Sequence, residues 1–143
     1  MEQNEIISSE FCKLGLLIQR IKDMEKSNQE LALMIFQAMN SRTFDGVIDY
    51  FDDSLILDFP GSGRIQGKRK VVVFLKALLR KYPVLCFNVF EVLVDGDQVA
   101  ALWTNKGNNL AGEDYQNSGV SIIHIDAGKI TFISDYFKDT SFT

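Results

Sequence analysis

Cysteine, proline and histidine are scarce in this chain: two Cys, two Pro and one His among 143 residues. Cys12 and Cys86 form no CxxC pair, and His124 alone cannot complete a common zinc set, so no metal site is expected. Nor do two lone cysteines build a disulfide framework. Both read as reduced, mostly buried thiols of a cytoplasmic protein. Cys86 has no helix N-terminus or basic neighbour to activate it. Long hydrophobic runs are missing as well: none approaches the roughly 20 residues of a membrane helix. The opening MEQNEIISSEF lacks the basic and apolar regions of a secretory signal. There is no GxGxxG, no HExxH, no GxSxG, and no GxxxxGK followed by Ser or Thr. Nucleotide-fold, zincin and serine-hydrolase chemistry therefore have no motif behind them, and no cofactor is expected. Gly61-Ser62-Gly63 is a tight hairpin rather than a phosphate loop.

Basic charge is also limited. The net charge is −4 and the pI about 4.9. Arg64, Lys68, Arg69 and Lys70, with Lys76, Arg80 and Lys81, fall largely on one predicted helix beside apolar residues. That is a solvated helix face, so neither nucleic acid nor a membrane is an expected partner.

What the chain has is hydrophobic bulk. Hydrophobic residues make up 46%, with eleven Phe, enough for one globular domain burying roughly two thirds of its unfolded surface. Such a Phe supply fills a core or lines an apolar pocket.

The order of elements is helices first, then strands. Ile6, Phe11, Leu14, Leu17, Ile18 and Ile21 recur at helical spacing and predict an amphipathic helix over 5–24, with Ser8 or Ser9 as N-cap. Ser27 and Glu30 form a capping-box pattern ahead of Leu31, Met34, Ile35, Ala38 and Met39. That helix ends at Asn40 and Ser41, and Thr43 to Phe51 reads as a further short helix. A strand over 54–59 is stopped by Pro60-Gly61, and 63–67 is a short return strand. Val71, Phe74, Leu75, Leu78 and Leu79 mark a helix over 68–82, ended by Pro83. Strands follow at 84–94 and 98–105 around the Asp95-Gly96-Asp97 turn. A polar loop over 106–112 leads to strands at 115–125 and 129–137, joined by Asp126-Ala127-Gly128. Hairpins build antiparallel sheets, and the helices must cover one face.

Three segments carry a family resemblance: FDGVIDYFDDSLILDFPGSGRIQGKRKVVVFL, VDGDQVAALWTNKG and GVSIIHIDAGKITFISDYFKDTSF. Taken in this order, over roughly residues 29–142, they resemble the SnoaL-like polyketide cyclases, ketosteroid isomerases and phenazine-biosynthesis proteins of the nuclear transport factor 2-like superfamily. The resemblance implies an α+β, cone-like roll: a curved antiparallel sheet packed against N-terminal helices around a pocket. Residues 1–25 are then an added helix and 26–143 the SnoaL-like domain.

Asp58 sits in the apolar strand Leu55-Ile56-Leu57-Asp58-Phe59, where a lone carboxylate is costly to bury. It matches the position of the ketosteroid isomerase base, or it caps the Pro60-Gly61 turn. Strand alternation puts Asp135 on one face with Thr131, Ile133 and Phe137, and Ser134 and Tyr136 on the other. The resemblance implies that the Asp135 face lines the pocket, where several family enzymes use an acidic residue. The alternative is an edge or interface carboxylate. Two inward carboxylates could divide acid and base roles. The isomerases' oxyanion pair is missing: Met34 or Phe36 stands near its Tyr position and Ser121 where its Asp belongs. The Asp-Arg-Asp set of limonene epoxide hydrolases is missing too. Tyr50, Trp103, Tyr115 and Asn117 are candidates for the pocket wall with Ser121, Ile133 and Phe137. His124 falls on the outer face.

The reading is a pocket protein. It is either a cofactor-independent, isomerase- or cyclase-like proton-transfer enzyme acting on a small apolar carbonyl compound, or a module that binds such a molecule without reaction. The outward aromatic residues of the sheet suit a homodimer.

Overall fold

The computed structural model of the chain describes residues 10, 12–18 and 26–140. Residues 12–18 are helical, with Leu14, Leu17 and Ile18 exposed. The rest of the expected leading helix, including Ile6, Phe11, Ile21 and the caps at Ser8 and Ser9, lies outside the described residues.

Helix α1 (Asn28–Ser41) begins where expected: the Ser27 hydroxyl accepts the Glu30 backbone N–H at 3.1 Å, satisfying a donor that the first turn leaves free. It ends at Arg42, held at φ 61°, the left-handed conformation that terminates many helices. A 3-10 helix (Ile48–Tyr50) follows. Then come β1 (Phe51–Phe59), β2 (Gly63–Gln66), helix α2 (Lys68–Lys81), β3 (Cys86–Asp95), β4 (Gln98–Asn108), β5 (Asp114–Asp126) and β6 (Lys129–Phe137). The expected helix over 43–51 is thus only three residues long, and Phe51 already belongs to β1. Phe51 pairs with Ile130 of β6, and this long-range ladder overrides the local helical pattern.

The six strands form one sheet in the order β2-β1-β6-β5-β4-β3. Every neighbouring pair is antiparallel except β1 and β6, which run parallel. The expectation of an antiparallel sheet is corrected at that seam. Hairpin turns fix only sequential pairs, whereas β1 and β6 meet across most of the chain. Both helices lie against the sheet, α1 on β3 and β4 and α2 on β1 and β2. Leu31 and Ile35 of α1, Val71 and Leu75 of α2, and Leu55, Leu57 and Ile123 of the sheet are buried between them.

Two polar side chains tie α1 to the edge of this sandwich. The Asn40 amide donates to the Phe87 carbonyl at 3.0 Å and accepts the Phe87 N–H at 2.7 Å. It thereby replaces a neighbouring strand along the free edge of β3. The Arg42 guanidinium donates to the carbonyls of Leu79, Tyr82 and Leu85 at 2.9, 3.0 and 3.3 Å. It captures the end of α2 and the turn that follows. Gly107 lets that turn press on β4: a Cβ there would stand 2.7 Å from the Leu85 Cα.

Both cysteines are exposed, which corrects the expectation of buried thiols. Cys86 opens the edge strand β3, where Leu85 before it takes the inward position. Arg42→Ala removes the guanidinium donor from three part-buried carbonyls, of which Tyr82's keeps the Leu85 N–H, and should cost about 2 kcal/mol of stability, measured by urea denaturation. Arg42→Lys, with a single ammonium, should recover only part of that loss.

Candidate active site

Opposed residues on paired strands share a face, so the inner wall of the sheet can be read in rows. In one row Asp135 of β6 stands opposite Ser121 of β5, which stands opposite Ala101 of β4. In the next, Phe137, Gly119 and Trp103 align. Asn117 and Asn105 form the row beyond. Gly119 is the bare position in this wall. A Cβ there would meet the Trp103 ring at 2.9 Å and the Tyr136 carbonyl oxygen at 2.2 Å. The indole lies across the gap and reaches the neighbouring row.

The Trp103 Nε1–H donates to Ser121 Oγ at 3.0 Å, and the Ser121 hydroxyl donates to Asp135 Oδ1 at 2.5 Å. An indole can only donate, so Ser121 Oγ accepts from Trp103 and keeps its single hydrogen for the ionised carboxyl. Asp135 keeps some accessible surface because it faces a cavity, yet protein surrounds the carboxyl. Burial raises its pKa from 3.8 to about 6, against the hydrogen bond from Ser121, which favours the charged form.

The cavity between sheet and helices has a volume of about 50 Å³. Its walls are mostly apolar, with Phe36, Phe59, Phe87, Trp103 and Phe137 among them, and the polar groups Asp135, Ser121, Asn105, Tyr82 and Tyr115 interrupt them. Tyr82 and Tyr115 stack with ring centroids 4.4 Å apart, and burial raises the pKa of both phenols. A groove of about 180 Å³ adjoins the cavity and shares Phe59, Leu78 and Tyr82 with it.

Of the residues expected at the site, Asp135, Trp103, Tyr115, Ser121, Ile133 and Phe137 line this cavity. Asp58 does not. Leu57 and Phe59 point inward on β1, so the side chain between them points out. It is 38% exposed, with Arg64 Nε 3.6 Å from its Oδ2 across the β1–β2 hairpin. The two carboxylates are therefore on opposite faces of the sheet. Tyr50 packs against the core outside the cavity wall. Asn117 also stands outside it, donating to the Tyr115 hydroxyl and the Asp139 carbonyl. Asn105 and Tyr82 were not anticipated, although simple periodicity marks both. Asn105 is two residues beyond inward Trp103 on β4, and Tyr82 follows Leu75, Leu78 and Leu79 at helical spacing. Among the described residues, no group of three His, Cys, Asp or Glu is placed to hold a metal ion. No described helix is long and apolar enough to cross a membrane.

This arrangement, helices laid on one face of a curved, unclosed mixed sheet, is the α+β cone of nuclear transport factor 2-like proteins. The SnoaL-like domain model matches residues 33–133, and the chain belongs to that family. No curated protein matches it. Among solved structures, a protein assigned as a SnoaL-like polyketide cyclase from Jannaschia sp. CCS1 superposes with a TM-score of 0.70 at 19% identity, covering 78% of this chain and 85% of that one. An NTF2-like protein of unknown function from Cytophaga hutchinsonii gives 0.63 at 18%, covering 80% and 92%. TerC, co-crystallised with polyporic acid, gives 0.70 at 19%, covering 78% and 91%. At these identities the likeness is one of fold.

The raised pKa of Asp135 has a consequence for stability. The unfolded chain releases this proton near 3.8 and the folded chain near 6, so between these values the folded state holds more protons. Its contribution is complete below the lower value and is lost as pH rises through the upper one, by about 3 kcal/mol in all. Compared with Asp135→Asn, wild type should lose stability to urea between pH 4 and pH 7. Parallel curves would mean that the carboxyl is not buried.

Proposed function

We propose that this protein is a cofactor-independent acid–base catalyst of the isomerase or cyclase type, with Asp135 as the proton-transfer group and a small apolar carbonyl compound as substrate. The observation that carries this is the hydrogen-bonded carboxyl of Asp135 facing an apolar cavity, with a pKa of about 6. A carboxylate so placed removes a proton from the carbon next to a carbonyl: the C–H bond breaks, an O–H bond forms on Asp135, and the electron pair moves to the carbonyl oxygen as an enolate. Return of the proton at another carbon completes an isomerisation. The pKa lies near working pH, where both halves of this cycle are accessible. Ser121 and Trp103 set the carboxyl's orientation.

A cavity of about 50 Å³ is below the ~150 Å³ that accommodates benzene. A ring compound therefore needs Leu78 and Tyr82, the walls shared with the adjoining groove, to turn aside on binding. A fold neighbour co-crystallised with polyporic acid supports a small-molecule role. Free cysteines suit a reducing compartment, in keeping with the cytoplasm.

Assembly is a second, compatible reading. Phe90, Leu93 and Tyr136 are each more than half exposed, and the rings of His124 and Phe132 pair at 4.9 Å on the outer face of the sheet. An aromatic face of this kind suits a homodimer formed sheet to sheet. Light scattering should then give the mass of two chains for wild type and one for Tyr136→Glu; a monomeric wild type removes this reading.

The catalytic reading is tested by exchange of the α-protons of cyclohexanone in deuterated water, followed by NMR. Wild type should accelerate exchange, with a pH profile rising around 6. Asp135→Asn should lower the rate about 100-fold or more. Ser121→Ala should move the profile to higher pH, because the lost hydrogen bond favours the carboxylate. If neither cyclohexanone nor larger cyclic ketones exchange faster than in buffer, the catalytic reading fails.

A further inference from the structure

Asn105 is 7% exposed, and its Oδ1 is a buried acceptor with no hydrogen-bond partner among the described residues. The groups facing it on the flanking strands do not supply one. Asn117, directly opposite on β5, gives both amide hydrogens away, to the Tyr115 hydroxyl and the Asp139 carbonyl, while its Oδ1 accepts the N–H groups of Ser118 and Asp139. The Trp103 N–H is spent on Ser121. Phe87, opposite on β3, offers an apolar ring. A buried acceptor without a donor destabilises a fold. Asn105 also lines the cavity, so this covered acceptor is within a side-chain rotation of whatever enters.

We propose that Asn105 is a specificity-determining residue of the cavity, reading a neutral hydroxyl group on a ring-shaped ligand. The proposal rests on the small-molecule reading of the cavity and not on catalysis by Asp135. The apolar walls take the ring, and the amide takes the substituent. Because the amide turns about its last torsion at little cost, it can present oxygen or nitrogen, and a hydroxyl can answer either. An ammonium group is a poorer match, since burying its charge among apolar walls costs far more than burying a neutral hydroxyl.

Phenol and toluene, nearly equal in shape, make the test. Their binding is measured by quenching of the single Trp, Trp103, in wild type and in Leu78→Ala, which opens the cavity toward the adjoining groove. Phenol should bind about tenfold tighter than toluene in at least the opened protein. Adding Asn105→Leu should abolish that preference while leaving toluene binding intact. The same substitution in the ligand-free protein should raise the melting temperature, because it deletes an unpartnered acceptor; a purely structural Asn would lower it. Equal or absent binding of the two probes in both proteins overturns the proposal, as does a phenol preference that survives Asn105→Leu. Asp135→Asn should leave the preference in place, so a failure of the catalytic reading and a failure of this one give different results.

Discussion

The parallel pairing of β1 with β6 is the contact on which the cavity depends. It joins the two parts of the sheet that local turns cannot bring together: the β1–β2 hairpin with its following helix α2, and the long β3–β6 meander. Without it α2 would have no place over the inner face, and the inward residues of β6 would face water. With it, Leu57 lies beside Ile133, and Asp135 comes to stand in the interior, where its carboxyl loses most of its hydration. The chemistry proposed for this residue therefore originates in a strand pairing rather than in a neighbouring charge.

The hydrogen-bonded chain of Trp103, Ser121 and Asp135 shows how few atoms set the character of such a site. Burial disfavours the carboxylate, and a single hydroxyl partly restores it. Opposing influences of this kind leave the group able to exist in either form near neutral pH, whereas burial alone would drive it toward the neutral acid. Trp103 does not touch the carboxyl, but its N–H removes the serine's freedom to point elsewhere. The indole can do so because Gly119 leaves the wall bare beside it.

Much of this was legible in the sequence. Alternation along 129–137 placed Asp135 with Ile133 and Phe137, and the turn at Asp126-Ala127-Gly128 fixed the register of that strand. The same alternation, applied to β1, sets Asp58 opposite in sense to Leu57 and Phe59. The parallel seam, the exposure of Cys86 and the roles of Asn40 and Arg42 were not legible, because each depends on which distant backbone lies alongside. Asn40 reads as a helix-ending residue until the free edge of β3 is known to pass beside it. Asn105 looks like any polar strand residue until the hydrogen bonds of Asn117 are counted.

The grip of Arg42 on three carbonyls joins the end of α1 to the turn bearing Tyr82 and Leu85, both of which line the cavity. Helix terminus and cavity wall thus belong to one cooperative unit. A fluctuation that releases the turn must also loosen the last turn of α1, and amide hydrogens in the two segments would become exchangeable together. Side-chain rotation at Leu78 and Tyr82, the walls shared with the adjoining groove, would open the interior while leaving this backbone unit closed.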